Sequence, residues 1–152
     1  MRILRNTLAL GIAAVLMAGV ALAGERGTPD EARALVIKAA AHLKDVGPEK
    51  AIADFNDPKG GYQDRDLFVF VYSAPGKILW APGIPALVGR DATALKDVDG
   101  KEFGKMILAA ATEAGDWVEY RMTNPASKRV EPKKTYAVRS SDFVLGSGAY
   151  SQ

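Results

Sequence analysis

The stretch GDWVEYRMTNPASKRVEPKKTY, residues 115–136, shows most clearly how this chain folds. Apolar and aromatic side chains alternate with polar ones on both sides of a polar connection that begins at Asn124. Alternation of this kind is typical of β-strands, because successive side chains point to opposite faces of a sheet. It predicts strands over residues 116–123 and 133–140, and another over residues 142–149 after a short turn.

A second hairpin is predicted upstream of this stretch. Residues 67–72 read LFVFVY, and a continuous apolar run of this length is typical of a strand that is covered on both faces. A turn at Pro75 follows, and residues 77–80 return as the second arm of the hairpin. Residues 81–89 contain two prolines and two glycines, which predicts a loop rather than a regular element.

Three helices are predicted from their start signals and the spacing of their apolar residues. Thr28 is the expected N-cap of the first helix, and Glu31 completes a capping box with it. The second helix is expected from Pro48 to about residue 56. The third is expected over about residues 100–114, with Asp99 as its cap.

The order of these elements predicts the fold class. Helices come first, then a hairpin, then a long loop with a helix, and finally three strands. Five strands joined mostly by hairpins should form one antiparallel sheet in an α+β fold, with the N-terminal helices packed on one face. The loop over residues 81–99 and the third helix should cover the opposite face and leave a pocket beneath them.

The charge distribution predicts a targeting segment. Arg2 and Arg5 precede an apolar run, Leu8–Leu22, and no acidic residue occurs in this part of the chain. This pattern predicts a cleaved secretory signal peptide over residues 1–23, and an uncleaved anchor is the alternative. The remaining domain, residues 24–152, then has as many basic as acidic side chains, which argues against non-specific nucleic-acid binding.

Further features of the sequence indicate an exported, free-standing domain. No segment after the predicted signal peptide is apolar enough to cross a bilayer, and the chain ends shortly after the last predicted strand. We therefore expect a periplasmic or secreted protein. The chain has no cysteine, so it forms no disulfide and its stability depends on its hydrophobic core.

One set of aromatic and basic residues is a candidate binding pocket. A small carboxylate needs a cation and hydroxyl or amide donors within apolar walls that exclude water. Residues that supply these groups occur on the predicted strands. The candidates are Tyr72, Trp80, Trp117, Tyr120, Lys133 and Tyr136. Ordinary core aromatics and solvated lysines are the alternative interpretation.

The period of a strand limits this set. Lys133 and Tyr136 are three residues apart, so a regular strand turns them to opposite faces. Either a bulge brings them together, or Lys134 or Arg121 provides the cation instead. Of the two aromatic residues on the preceding strand, Trp117 and Tyr120, Tyr120 is the better candidate for the pocket.

Other reactive constellations are weak in this sequence. It has one histidine and no cysteine, so no acyl-transfer triad or zinc cluster is expected. The segment DVDG, residues 97–100, places Leu95 and Met106 where a calcium loop needs oxygen ligands. We therefore expect neither enzymatic activity nor a metal or other cofactor.

Six segments occur along the chain in a specific order: FVFVYSAPGKILWAP, GIPALVGRD, KDVDGKEF, GDWVEYRMTNP, PKKTY and LGSGAY. Together, over about residues 30–150, they resemble the single Cache domain of the second type. This family consists of PAS-like extracytoplasmic sensor domains of chemoreceptors and histidine kinases. Two positions depart from the family pattern: Trp80 stands where a histidine is frequent, and Met122 where a tryptophan is frequent.

The resemblance implies a PAS-like fold that binds small organic acids such as acetate, propionate, pyruvate or lactate. It favours Lys133 over Lys134 as the cation. It also implies a role in chemotaxis or signal transduction, here through a membrane receptor or a sensor kinase as partner. The alternative function is an interaction module of the same fold without a functional pocket, which pairs through its N-terminal helix with a receptor or as a homodimer.

Overall fold

The computed structural model describes residues 26–151, so the predicted signal peptide, residues 1–23, lies outside the described part. Helices and strands follow in this order: α1 Pro29–Val46, α2 Pro48–Asn56, β1 Gln63–Asp64, β2 Leu67–Phe68, β3 Phe70–Ser73, β4 Ile78–Trp80, α3 Phe103–Ala110, β5 Asp116–Thr123, β6 Val130–Ser140 and β7 Phe143–Tyr150. Strands β3 to β7 form an antiparallel sheet in the order β4-β3-β7-β6-β5. The predicted α+β class is confirmed.

Helix α1 begins as its capping box predicts. The hydroxyl of Thr28 accepts a hydrogen bond from the backbone N–H of Glu31 at 3.2 Å, and the Glu31 carboxylate accepts one from the backbone N–H of Thr28 at 2.8 Å. The buried stripe of the helix includes Val36 and Leu43 and packs against β6 and β7. Full burial of such side chains contributes about 1.5 to 3 kcal/mol each, which fixes α1 on the sheet.

The sheet separates two clusters of buried side chains. Tyr136 and Val138 lie on the face that packs against α1 and α2, which we call the helix face. Tyr72 and Ala137 lie on the opposite face, where α3 and the connection over residues 81–99 cover the sheet. We call this the cavity face. Neighbouring residues of one strand thus belong to different clusters, as the period of two requires.

The polar connection before β2 contains a hairpin that the sequence did not predict. Gln63 of β1 pairs with Phe68 of β2, and Arg65 in the turn between them has a left-handed φ of 55°. The expected strand over residues 67–72 is therefore divided, because β2 pairs with β1 whereas β3 pairs with β4 and β7. The turn contains neither glycine nor asparagine, so the usual hairpin signal is missing.

Helix α3 is shorter than predicted, and the predicted cap, Asp99, is wrong. Asp97 organises the turn before the helix instead. Its Oδ1 accepts the backbone N–H groups of Asp99 and Lys101, each at 2.9 Å, and its Oδ2 accepts the backbone N–H of Arg121 at 3.0 Å. These bonds tie the turn to β5 and keep residues before Phe103 out of the helix.

The outer surface of α1 carries one large exposed apolar side chain, Ile37, which is 49% exposed. Pairing of two copies through this helix stays a prediction. None of the helices within residues 26–151 combines the length and the apolar character that a membrane crossing requires.

Candidate ligand-binding cavity

A cavity of about 40 Å³ lies between the cavity face of the sheet and its cover. Its walls come from β2 and β3, the connection after β4, the start of α3, and the three last strands. Most of the wall is apolar. The lining residues are Phe68, Phe70, Tyr72, Ala81, Gly83, Ile84, Leu87, Leu95, Phe103, Tyr120, Met122, Pro125, Lys133 and Tyr150.

Lys133 is the cation that lines this cavity. Lys133 is only 4% exposed. Its Nζ lies 4.9 Å from the ring centroid of Phe68 and 4.6 Å from that of Tyr150. Burial lowers the pKa of Lys133 to about 8, and the charge of Asp66 opposes part of this shift. An ammonium group surrounded by rings is stabilised by cation–π attraction but remains poorly compensated.

One carboxylate on the same strand as Lys133 and one on the neighbouring strand form ion pairs with other residues. Glu131 pairs with Arg26 at 3.0 Å, and Glu119 pairs with Lys134 at 3.4 Å. Within residues 26–151, Lys133 forms no ion pair of its own, and the charge of Asp66 acts on it from beyond ion-pair distance. The cavity therefore presents a buried positive charge that no described carboxylate contacts directly.

The glycine-rich last strand makes room for this lysine. Gly148 pairs with Thr135 in the β6–β7 ladder. A Cβ atom at Gly148 would lie 2.2 Å from the Thr135 Oγ1 and 2.8 Å from the Lys133 Cε. Gly148 thus permits the close approach of β7 to the side chains that line the cavity.

Three tyrosine hydroxyls accompany the lysine. The Tyr120 hydroxyl is hydrogen-bonded to Thr135 Oγ1 at 2.9 Å, and the Tyr150 hydroxyl donates to the Thr123 carbonyl at 3.2 Å. Burial raises the pKa of Tyr120 to about 12 and also raises the pKa values of Tyr72 and Tyr150. All three hydroxyls therefore keep their protons at neutral pH. The Tyr150 proton is engaged by the Thr123 carbonyl. Tyr72 can donate to a ligand, and so can Tyr120 when Thr135 is the donor in the bond that they share.

Comparison with known proteins identifies the family. A family model described as single Cache domain 2 matches residues 10–152. The chain belongs to this family. Cache domains are extracytoplasmic sensor domains. No curated protein matches the chain significantly.

Solved structures share this Cache fold. A methyl-accepting chemotaxis protein from Vibrio parahaemolyticus is 23% identical, with a TM-score of 0.67 over 80% of this chain and 86% of that one. A Cache chemosensory domain, described in terms of carboxylic acid recognition, is 19% identical, with a TM-score of 0.65 over 81% of this chain and 92% of that one. A periplasmic sensor domain of a chemotaxis protein is 21% identical, with a TM-score of 0.59 over 81% and 90%.

The Cache cavity includes three of the six side chains that the sequence suggested, and the other three lie elsewhere. Tyr72, Tyr120 and Lys133 line it. Among the cations, Lys134 lies on the helix face with its Nζ 5.1 Å from the Trp117 ring centroid. Arg121 pairs with an exposed aspartate at 3.5 Å and does not line the cavity.

Trp80, Trp117 and Tyr136 pack on the helix face, so their placement in the pocket is corrected. No bulge separates Lys133 from Tyr136 in β6, and the Tyr136 hydroxyl donates to the Ala114 carbonyl at 2.6 Å. The Trp117 ring packs against the Tyr136 ring, and the two ring centroids are 5.0 Å apart. Trp80 changes face because the β3–β4 register shifts between Val71 and Tyr72.

Sequence reasoning missed several lining residues. Tyr150 is the most informative, because it pairs with Lys133 across the β6–β7 ladder and lies two residues beyond Gly148 on the same face. That spacing was visible in the sequence. Phe68 and Phe103 gave no such signal, because β2 and α3 reach the cavity only through the tertiary fold.

Proposed function

We propose that this Cache domain binds a small organic acid, with Lys133 as the partner of its carboxylate. One observation carries the proposal: a buried ammonium group, which has no ion-pair partner among residues 26–151, faces a cavity whose other walls are mostly aromatic and aliphatic. A buried charge is costly unless it is paired and hydrogen-bonded. A ligand carboxylate supplies the missing negative charge.

Two tyrosines give this carboxylate its remaining partners. Tyr72 and Tyr120 line the same cavity as Lys133, and raised pKa values keep their hydroxyls protonated. Hydrogen bonds from neutral donors to an ionised acceptor are stronger than those between neutral groups. The uncharged amide of the same acid would leave Lys133 unpaired, so we expect it to bind weakly.

The size of this cavity, taken by itself, favours short acids. One enclosed water needs about 10 to 15 Å³, so about 40 Å³ has room for a carboxylate group and little more. Acetate, propionate, pyruvate and lactate belong to this class. The solved Cache chemosensory domain whose description names carboxylic acid recognition supports the same ligand class.

We further propose that binding is read outside the cytoplasm by a membrane partner. Membership of the Cache family supports an extracytoplasmic sensor role, and the predicted signal peptide would export the domain. A membrane receptor or sensor kinase would then detect the occupied state, in chemotaxis or in another signalling process.

The experiment is thermal unfolding of the domain with acetate, propionate, pyruvate and lactate, each compared with its amide. A ligand at a hundred times its dissociation constant adds about 2.7 kcal/mol, which raises the melting temperature by several degrees. The Lys133→Met variant should lose this shift. Lys134→Met is the matched control, because Lys134 lies on the helix face, and it should keep the shift.

The result distinguishes this function from the interaction-module alternative. A shift with one acid but not with its amide, lost in Lys133→Met alone, supports carboxylate binding. Equal shifts in the two lysine variants would place binding elsewhere. If no acid causes a shift and mass spectrometry of the denatured protein finds no co-purified ligand, the interaction module becomes the better account.

A further inference from the structure

A second, larger cavity lies next to the one that contains Lys133. It has a volume of about 260 Å³ and opens between the connection after β4, the start of α3 and β5. We call it the outer groove, and the first cavity the inner cavity. The two share one wall, which consists of Ile84, Leu87, Leu95, Phe103 and Met122.

The polar groups of the inner cavity belong to the part of its wall that the outer groove does not share. Lys133 and the three tyrosines line the inner cavity and not the outer groove. The shared wall consists entirely of apolar side chains. A ligand whose carboxylate meets Lys133 can direct an apolar end towards this wall.

The outer groove offers apolar surface rather than a second anion site. Its cations are already paired: Arg121 contacts Asp99 at 3.5 Å, and Lys96 contacts Glu102 at 3.6 Å. Val98, which is 58% exposed, adds apolar surface to its lining. Together the two cavities reach about 300 Å³, the lower end of the usual range for ligand pockets.

Two side chains of the shared wall are only partly buried and pack at the edge of the core cluster on the cavity face. Met122 is half-buried on the edge strand β5, and methionine adapts its unbranched side chain to irregular space. Leu87 lies in the short 3₁₀ helix Pro85–Leu87, none of whose residues is buried. A shift of these two side chains would join the inner cavity to the outer groove.

We propose that the site accepts straight-chain monocarboxylic acids longer than the inner cavity alone holds, with the alkyl tail passing between Met122 and Leu87 into the outer groove. Met122 then determines which chain lengths bind. This inference rests on the proposed function, because it requires the carboxylate at Lys133. It identifies the ligand class as acids with an apolar tail.

The apolar groove predicts a graded dependence of affinity on chain length. Each methylene group that leaves water for an apolar surrounding gains about fourfold in affinity, equivalent to about 0.8 kcal/mol. Affinity should therefore rise along the series acetate, propionate, butyrate and hexanoate, by at least tenfold in total. An inner cavity closed at Met122 would reject the longer acids instead.

The test is calorimetric titration of these four acids into the wild type and the Met122→Trp variant. The larger side chain should block the passage, and so weaken hexanoate binding at least tenfold more than it weakens acetate binding. Met106→Trp is the matched control, because Met106 lies on α3, is 38% exposed and lines neither cavity. Leu87→Trp, in the short 3₁₀ helix of the cover, provides a second variant should Met122→Trp not fold.

Each outcome decides a separate point. Acetate binding with an affinity that stays flat or falls along the series would overturn the tail inference and leave the proposed function intact. Equal weakening of acetate and hexanoate by Met122→Trp or Leu87→Trp would also overturn it. Absence of binding by all four acids would overturn the tail inference, and it would overturn the proposed function too if pyruvate and lactate cause no thermal shift.

Discussion

Replacing Lys133 with methionine should change how the stability of the domain depends on pH. Burial lowers the pKa of Lys133 to about 8 in the folded protein, from an ordinary value of 10.5. Between these two pH values the unfolded chain binds more protons than the folded chain, so the free energy of unfolding rises with pH. Lys133→Met lacks this titration and should lack this part of the rise.

The size of the effect follows from the two pKa values. At about pH 7 the buried ammonium costs the folded state about 3 kcal/mol, and at about pH 9.5 it costs about 1 kcal/mol. The wild type should therefore gain about 2 kcal/mol relative to Lys133→Met over this range. The buried tyrosines, whose pKa values are raised, contribute a loss of stability at higher pH. Both proteins share that loss, so it cancels in the comparison.

Urea unfolding at several pH values, followed by tryptophan fluorescence, measures this difference. Trp80 and Trp117 lie on the helix face and remain in every variant. Lys134→Met is the control and should keep the wild-type dependence on pH. An acid that binds at Lys133 should flatten the dependence, because a paired ammonium is no longer destabilised by burial. Equal pH dependence of the wild type and Lys133→Met would refute the inference that burial destabilises the charged form of Lys133.

Three further substitutions test the frame around the site. Leu43→Ala should cost about 2 to 5 kcal/mol in denaturant unfolding, because Leu43 is buried between α1 and the sheet; the exposed Ile37→Ala should stay within about 0.5 kcal/mol. Gly148→Ala should cost about 1 to 3 kcal/mol and abolish the acid-dependent thermal shift, because its Cβ would collide with cavity side chains. Asp97→Ala should lower the melting temperature more than Asp99→Ala, because Asp97 accepts three backbone N–H groups.

The sequence predicted the elements whose signals are local. The capping box at Thr28 placed the start of α1 correctly, and the alternation around Asn124 placed β5 and β6. Parity also predicted that Lys133 and Tyr136 face opposite sides. It did not tell which side has the cavity, because that depends on where α1 packs, and only the assembled sheet decides it.

Two errors have physical causes that the alternation of side chains along a strand does not reveal. The sequence predicts Trp80 in the same pocket as Tyr72, but the register shift in the β3–β4 pair places it on the helix face. Asp97 and Asp99 carry the same cap signal in sequence. The contact with the backbone of β5, which is distant in the chain, selects Asp97.

The charged side chains of β6 differ in their partners, and we expect this difference to determine the selectivity of the proposed site. Lys134 and Glu131 have ion-pair partners of opposite charge. Lys133 contacts aromatic rings instead, and only the charge of Asp66 acts on it from beyond ion-pair distance. A monoanion restores charge balance in this cavity. A second carboxylate would have to enter the apolar wall at Met122 without a cation, and the cost of burying that charge exceeds what further contacts return.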